Sequence, residues 1–208
     1  MKLGEHFLKD RGRCLRDFDF MPDSGQVELG DDTIVFYHYS QLKKKHDIFS
    51  PSSGLYAGRS VECPNDFHEY DDTYIVEGFL EPIPKWLTDS PYLGDIGINI
   101  VKRHLGHLLL KVEVPRDFPG VYVVDYAHML DWQIGRRRPE PLGLGYAEEE
   151  ECKKAYVHSY IPMLEYQKGH VAPIVHVLRK GKGIVIPNKY LEIAKEQPLR
   201  EVDGGEDG

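Results

Sequence analysis

Residues 108–124 read LLLKVEVPRDFPGVYVV, and this stretch is the most informative one for the fold. In Leu108–Val114 an apolar run passes into alternating apolar and charged residues, the pattern of a strand with one buried face. Val121–Val124 is a second run of strand-forming residues, and the turn residues Pro119 and Gly120 precede it. We expect the two strands to form an antiparallel hairpin.

The rest of the chain shows the same pattern of short strands, with a few short helices between them. The predicted strands cover Thr33–His38, Leu55–Ala57, Asp71–Phe79, Ile174–Leu178 and Gly183–Ile186. The predicted helices cover Gln41–Phe49, Ile96–Leu105, Tyr126–Trp132, Ala147–Tyr156 and a terminal segment from Pro187 through Lys195. Because strands and helices do not alternate regularly, the pattern favours an α+β fold with mostly antiparallel sheets, a split β-sandwich, over a doubly wound parallel sheet.

The sequence predicts one folded domain between two polar ends. Residues 1–30 are polar and lack a clean periodicity, which indicates an N-terminal arm. Residues 31–200 contain the predicted elements, and no linker or repeat divides them, so we expect a single α+β domain. Residues 201–208, EVDGGEDG, are acidic and rich in glycine, which predicts a disordered tail.

The composition limits the compartment and the partners. The formal net charge is −8, from 26 basic and 34 acidic residues, which argues against a surface that binds duplex nucleic acid. Three widely spaced cysteines without a CxxC pair indicate a reducing compartment. Apolar runs are far shorter than the roughly 20 residues that span a bilayer, so no membrane association is expected. We expect a cytoplasmic protein, or an effector exported without a cleaved signal.

Histidines give no pattern typical of a metal centre. His104 and His107 lie three residues apart, but no further ligands cluster near them in the sequence. A bound metal needs three or four such ligands. The sequence therefore predicts no metal site.

One segment has a resemblance to a known family. Phe36-Tyr37-His38-Tyr39-Ser40 is followed by Ile48–Pro51 and then by Gly54-Leu55-Tyr56-Ala57. Over residues 33–70 this order resembles the N-terminal half of the ADP-ribosyltransferase superfamily. Its members often have a strand ending in Tyr-His, a helix, a proline or glycine turn, and a strand reading Gly-aliphatic-Tyr. The resemblance implies a glycosyltransferase that uses NAD as substrate and transfers ADP-ribose to an acceptor.

The same resemblance implies roles for individual residues. The implied catalytic residues are His38, which would contact the NAD ribose, Tyr56, which would stack on the nicotinamide ring, and Glu165. Glu165 would supply the carboxylate that stabilises an oxocarbenium-like transition state, and the run 148–151 is the second candidate for it. The residues implied to bind NAD are His38, Tyr39, Ser40, Tyr56, Arg59 and Tyr70.

A second function class stays open. The chain is acidic and rich in tyrosine, with 13 tyrosines, and tyrosines are common in surfaces that bind other proteins. It is therefore also consistent with a non-catalytic interaction module, of the immunity or adaptor type, whose acidic surface meets a basic partner. Convergence of His38, Tyr56 and one carboxylate on a single cleft would favour the enzyme.

Overall fold

A computed structural model of the chain describes residues 28–29, 32–61, 64, 67–88, 106–129 and 148–196. The strands are β1 (Glu28–Leu29), β2 (Thr33–Ser40), β3 (Gly54–Ala57), β4 (Arg59–Ser60), β5 (Thr73–Gly78), β6 (Leu108–Pro115), β7 (Val121–Asp125), β8 (Ile161–Pro162), β9 (Pro173–Lys180), β10 (Gly183–Pro187) and β11 (Leu191–Glu196). The α-helices are α1 (Lys45–Phe49), α2 (Lys85–Thr88) and α3 (Glu149–His158). Short 3₁₀ turns lie at Leu42–Lys44, His68–Tyr70, Met163–Glu165 and Asn188–Tyr190.

The strands form two sheets and one ribbon. Sheet I has the order β1-β2-β6-β11, and sheet II has the order β4-β5-β9-β7-β8. The ribbon consists of β3 and β10. All pairings between these strands are antiparallel. The predicted α+β class with mostly antiparallel sheets is therefore confirmed.

The main hydrophobic core lies where the two sheets face each other. Sheet I contributes Phe36 and Leu110, and sheet II contributes Val123, Val175 and other valines. The side chains of Phe36, Leu110 and Val175 have essentially no solvent exposure. Successive residues of a strand point to opposite faces of the sheet, so only one face of each sheet enters this core.

A second hydrophobic cluster covers the other face of sheet II. Val124 and Ile174 project from β7 and β9 toward Tyr156 of α3 and Trp86 of α2. The backbones of Tyr37 and Phe79 exchange two hydrogen bonds of 2.8 and 2.7 Å, which join β2 of sheet I to the end of β5 in sheet II. This bridge brings the last residues of β2 beside the last residues of β5.

The predicted hairpin between residues 108–114 and 121–124 is wrong. Both segments are strands, but β6 pairs with β2 and β11, whereas β7 pairs with β8 and β9. The connection carries the chain from one sheet to the other, and Gly120 adopts a φ of 75° at its end. Because the buried valines of both strands belong to the same core, the strands must lie on opposite sides of it rather than side by side.

The predicted terminal helix is also wrong. A 3₁₀ turn at Asn188–Tyr190 leads into β11, which pairs with the outer edge of β6. Leu191 and Ile193 pack against the main core, and Glu192 between them is exposed, which is the period of a strand. The open edge of β6 supplies backbone hydrogen bonds that override the helix propensity of this segment.

The remaining predicted elements divide into two groups. The strands near 33–38, 55–57, 71–79, 174–178 and 183–186 and the helices near 41–49 and 147–156 are confirmed. A helical turn at 127–129 matches the start of the predicted helix at Tyr126–Trp132. The predicted helix at Ile96–Leu105, the tail 201–208 and residues 1–27 of the predicted arm lie outside the described residues. Among the described helices, none is both long enough and apolar enough to cross a membrane.

Candidate functional site

A row of polar side chains crosses the outer face of sheet II. Glu77 on β5 lies directly opposite His176 on β9, and His176 lies directly opposite Tyr122 on β7. Directly opposed residues on neighbouring strands project from the same face. The row ends at Arg59 on the edge strand β4, whose register partner is Ile75. The fold thus places a carboxylate, an imidazole and a guanidinium together on one sheet face.

Glu77 is held by one of its two carboxylate oxygens. The Arg59 guanidinium donates to Oε1 over 2.9 Å, and Nε2 of His176 lies 3.6 Å from the same atom. Among the described residues, no hydrogen bond reaches Oε2, and this atom is not sealed from solvent. The Glu77 side chain is 23% exposed and that of Arg59 is 45% exposed. One oxygen is therefore anchored, and the other is available to a ligand.

His176 is enclosed by tyrosines and is 1% exposed. The Tyr160 hydroxyl is 2.7 Å from Nδ1, and the Tyr156 hydroxyl is 3.2 Å from Nε2. Tyr156 sits on the buried face of α3, and Tyr160 follows the helix, so one short segment supplies both phenols. We call Glu77, Arg59, His176, Tyr156 and Tyr160 the Glu77 cluster. Within the cluster, His176 and Tyr156 are buried, whereas Glu77, Arg59 and Tyr160 are at least partly exposed.

His38 joins this cluster from sheet I. Its Nδ1 lies 2.6 Å from the backbone carbonyl oxygen of Glu77, a contact that the bridge between Tyr37 and Phe79 makes possible. A carbonyl oxygen only accepts, so Nδ1 carries the proton and donates. The hydrogen bond fixes the orientation of the imidazole relative to the strand that carries the Glu77 carboxylate.

The Glu77 carboxylate is ionised at neutral pH. Burial by itself would raise its pKa, but the interaction with His176, followed by the charge of Arg59, outweighs burial and lowers the pKa below its ordinary value. A buried carboxylate without such partners would instead take up a proton. The partners thus preserve a negative charge in a largely enclosed place.

His38 and two phenols of the cluster are neutral at neutral pH. Burial lowers the pKa of His38, although its hydrogen bond to the Glu77 carbonyl and the Glu77 charge partly oppose this. Burial also raises the pKa of Tyr156 and of Tyr160 well above 10, so both remain phenols. The Glu77 carboxylate and the Arg59 guanidinium therefore lie beside a neutral His38 imidazole and two neutral phenols.

Three residues implied by the family resemblance come together here. His38 contacts Glu77, and Arg59 forms the ion pair with it. Tyr70 lies on the 3₁₀ turn before β5, half-buried, with its ring centroid 5.8 Å from that of Tyr160. Arg59 thus contacts the Glu77 carboxylate, His38 contacts the Glu77 backbone, and Tyr70 reaches the cluster through Tyr160.

The other four implied residues lie elsewhere in the described contacts. Tyr39 is buried in the second hydrophobic cluster, its hydroxyl donates to the Pro82 carbonyl over 2.7 Å, and burial raises its pKa to about 12. Ser40 is also buried. Tyr56 is 61% exposed on the ribbon, and Glu165 is exposed on the 3₁₀ turn after β8. No described contact joins these four to Glu77, and their roles stay predictions.

Sequence reasoning missed the centre of the cluster. Glu77 and His176 each interrupt an apolar strand, in TYIVEG and PIVHVL, and a polar residue in a buried strand needs a partner. That signal was present in the sequence. Their pairing depends on the register between β5 and β9, which are about a hundred residues apart in the chain.

A second buried carboxylate serves the fold. Asp125, at the end of β7, accepts backbone hydrogen bonds from Ala127, Val171 and Ala172 over 3.1, 2.9 and 3.0 Å. Burial would raise its pKa, but the charges of His128 and His170 and these hydrogen bonds lower it. Within the described ranges, no group of three or more histidine, cysteine, aspartate or glutamate side chains is placed to hold a metal ion.

No protein-family model, no curated protein and no solved structure matches the chain. The chemistry available to the chain is therefore that of the Glu77 cluster, with His38 and Tyr70 beside it.

Proposed function

We propose that the chain is an ADP-ribosyltransferase that binds NAD over the Glu77 cluster and transfers ADP-ribose to an acceptor. One observation carries the proposal. Glu77 presents an ionised carboxylate whose Oε1 is held by Arg59 and His176 and whose Oε2 makes no hydrogen bond within the described part of the chain. A preorganised anion of this kind is what an oxocarbenium-like transition state requires.

The charge of the cluster suits the bond that is broken. When the bond between ribose C1′ and the nicotinamide nitrogen breaks, the electron pair goes to the nitrogen and positive charge develops on the sugar. Oε2 of Glu77 stabilises this charge, and partial burial strengthens the interaction because the local dielectric constant is lower than that of water. Glu77, rather than Glu165, is the carboxylate that we assign to this role.

The remaining outward-facing groups match other parts of NAD. The Arg59 guanidinium lies at the rim and can pair with a pyrophosphate oxygen while it holds Glu77, because it has five N–H donors. The half-buried ring of Tyr70 offers an aromatic face beside Tyr160 for the nicotinamide ring. His38 supplies a polar ring atom for the sugar or the acceptor.

The proposal is tested by measuring NAD binding and NAD cleavage. The purified full chain is incubated with NAD, binding is measured by calorimetry, and free nicotinamide is measured by chromatography. We expect saturable NAD binding and enzyme-dependent release of nicotinamide. A protein that neither binds nor cleaves NAD would refute the proposal.

A non-catalytic interaction module is the second candidate, and one observation favours it. Tyr56 and Ile184 are direct partners across the ribbon and are 61% and 38% exposed. Adjacent exposed apolar side chains are typical of binding surfaces. A module of this kind would neither bind nor cleave NAD, and Tyr56→Ala would weaken the binding of its protein partner.

A further inference from the structure

His38 has one anchored ring nitrogen and one open ring nitrogen. Nδ1 donates its proton to the Glu77 carbonyl oxygen over 2.6 Å. A neutral imidazole has a single N–H, so Nε2 of His38 carries a lone pair. Among the described residues, no hydrogen bond reaches Nε2, and His38 is partly exposed. The lone pair is therefore available to a bound molecule.

The surroundings of His38 keep the imidazole in its basic form. Burial lowers its pKa, and the charge of Lys44, on the 3₁₀ turn after β2, acts in the same direction. The Glu77 carbonyl and carboxylate oppose this, but burial has the larger effect. At neutral pH His38 thus has no proton on Nε2 and can accept one.

Glu77 is poorly suited to accept that proton. Its pKa is lowered by its neighbours, so the carboxylate is held as an anion and is a weak base. Its open oxygen is also occupied with the developing charge of the sugar in the proposed reaction. A neutral imidazole is the side chain most used as a general base near pH 7.

We infer that His38 is the general base of the transfer and that the acceptor is a neutral hydroxyl, water or an alcohol, which must lose a proton as it attacks. This inference rests on the proposed use of NAD. The acceptor oxygen forms a bond to ribose C1′ while the bond from C1′ to nicotinamide breaks. The electron pair goes to the nicotinamide nitrogen, and the hydroxyl proton passes to Nε2 of His38 and then to solvent. An anionic acceptor would need no base.

The experiment compares a neutral and an anionic acceptor. NAD is supplied to wild type, His38→Gln and His38→Ala in water, in dilute methanol and with azide, and the ADP-ribosyl products are separated by chromatography. The His38→Gln variant keeps a donor for the Glu77 carbonyl but cannot accept a proton. His46→Ala is the matched control, because the His46 side chain is 95% exposed.

The expected pattern separates a base from a merely structural residue. In both His38 variants, hydrolysis and methanolysis fall about 100-fold more than the azide reaction does. Added imidazole restores hydrolysis in His38→Ala, and more basic imidazoles restore it further. The control keeps wild-type rates.

Two other outcomes separate a failure of this inference from a failure of the proposed function. If wild type cleaves NAD but the His38 variants lose the azide reaction as strongly as hydrolysis and imidazole gives no rescue, His38 is not the base, and the proposed function survives. If wild type neither binds nor cleaves NAD, the proposed function fails and this inference fails with it.

Discussion

Glu77 and His176 lie directly opposite each other on β5 and β9, with 3.6 Å between Oε1 and Nε2. Each residue stands in an otherwise apolar strand. Neither is compatible with burial alone, because an isolated charge or an unsatisfied imidazole there would cost several kcal/mol. Arg59 satisfies one oxygen of the Glu77 carboxylate and two tyrosine hydroxyls satisfy the His176 ring, which offsets that cost.

Replacing the Glu77 carboxylate should stop turnover without abolishing binding. Glu77→Gln keeps the shape of the side chain and removes the charge, so we expect the kcat for nicotinamide release to fall about 100-fold or more. NAD affinity, measured by calorimetry, should change little. Glu165→Gln is the matched control, and we expect it to retain wild-type turnover. If the kcat for nicotinamide release falls in Glu165→Gln and is unchanged in Glu77→Gln, Glu165 is the catalytic carboxylate.

The Tyr160 hydroxyl should matter for stability, and the neighbouring Tyr122 hydroxyl should not. Tyr160→Phe keeps the ring but leaves Nδ1 of His176 without its 2.7 Å partner, so the free energy of unfolding should fall by about 1 kcal/mol. In Tyr122→Phe only ring contacts are involved among the described residues, since Tyr122 meets Tyr160 edge to face at 5.8 Å. Urea unfolding measures both variants. Equal losses in the two would contradict a specific role for the Tyr160 hydrogen bond.

Asp125 should make the stability of the fold depend on acidic pH. Its folded-state pKa lies below its unfolded value of about 4, so its stabilising effect is complete above that value. The effect is lost as the pH falls through the lower, folded-state pKa. In Asp125→Asn, the side-chain NH₂ group faces a backbone N–H that the carboxylate oxygen accepts from in the wild type. The free energy of unfolding should therefore fall by about 2 kcal/mol at pH 7.

The difference in unfolding free energy between wild type and Asp125→Asn should shrink as the pH falls below about 4. Urea unfolding at several pH values measures it. Asp117→Asn, on the exposed turn after β6, is the control and should change the unfolding free energy by less than about 0.5 kcal/mol. A difference for Asp125→Asn that is independent of pH would contradict the assignment.

Gly78 should be required for the contact between the two sheets. A Cβ at this position would lie 2.7 Å from Phe36 Cδ2 and 2.9 Å from the Tyr37 carbonyl oxygen. Gly78→Ala should therefore push β5 away from β2, which costs about 1–3 kcal/mol and lengthens the bond from His38 to Glu77. At Gly58 the nearest side-chain atoms are 3.7 Å from such a Cβ, so Gly58→Ala is the matched control. Thermal unfolding that affects both variants equally would contradict this account.

The sequence alone determined the class of the fold and most of its elements. The β-branched and aromatic residues of 33–38 predict a buried strand, the alternation in 108–114 predicts a half-buried one, and the acidic start of 147–156 predicts a helix. These signals depend only on near neighbours in the chain. Through the family resemblance it also implied a site that includes His38, Arg59 and Tyr70, and this site stays a prediction; in the structure His38 and Arg59 contact Glu77, and Tyr70 contacts Tyr160.

Tertiary structure decided the rest. The segments 108–114 and 121–124 separate into two sheets because both must bury valines in one core, and 191–196 becomes a strand because β6 offers an unpaired edge. The Glu77 cluster has the same origin. A register between strands about a hundred residues apart places His176 opposite Glu77. Because side chains alternate between the two faces of a strand, a slip of β9 by one residue would move His176 to the other face, away from Glu77.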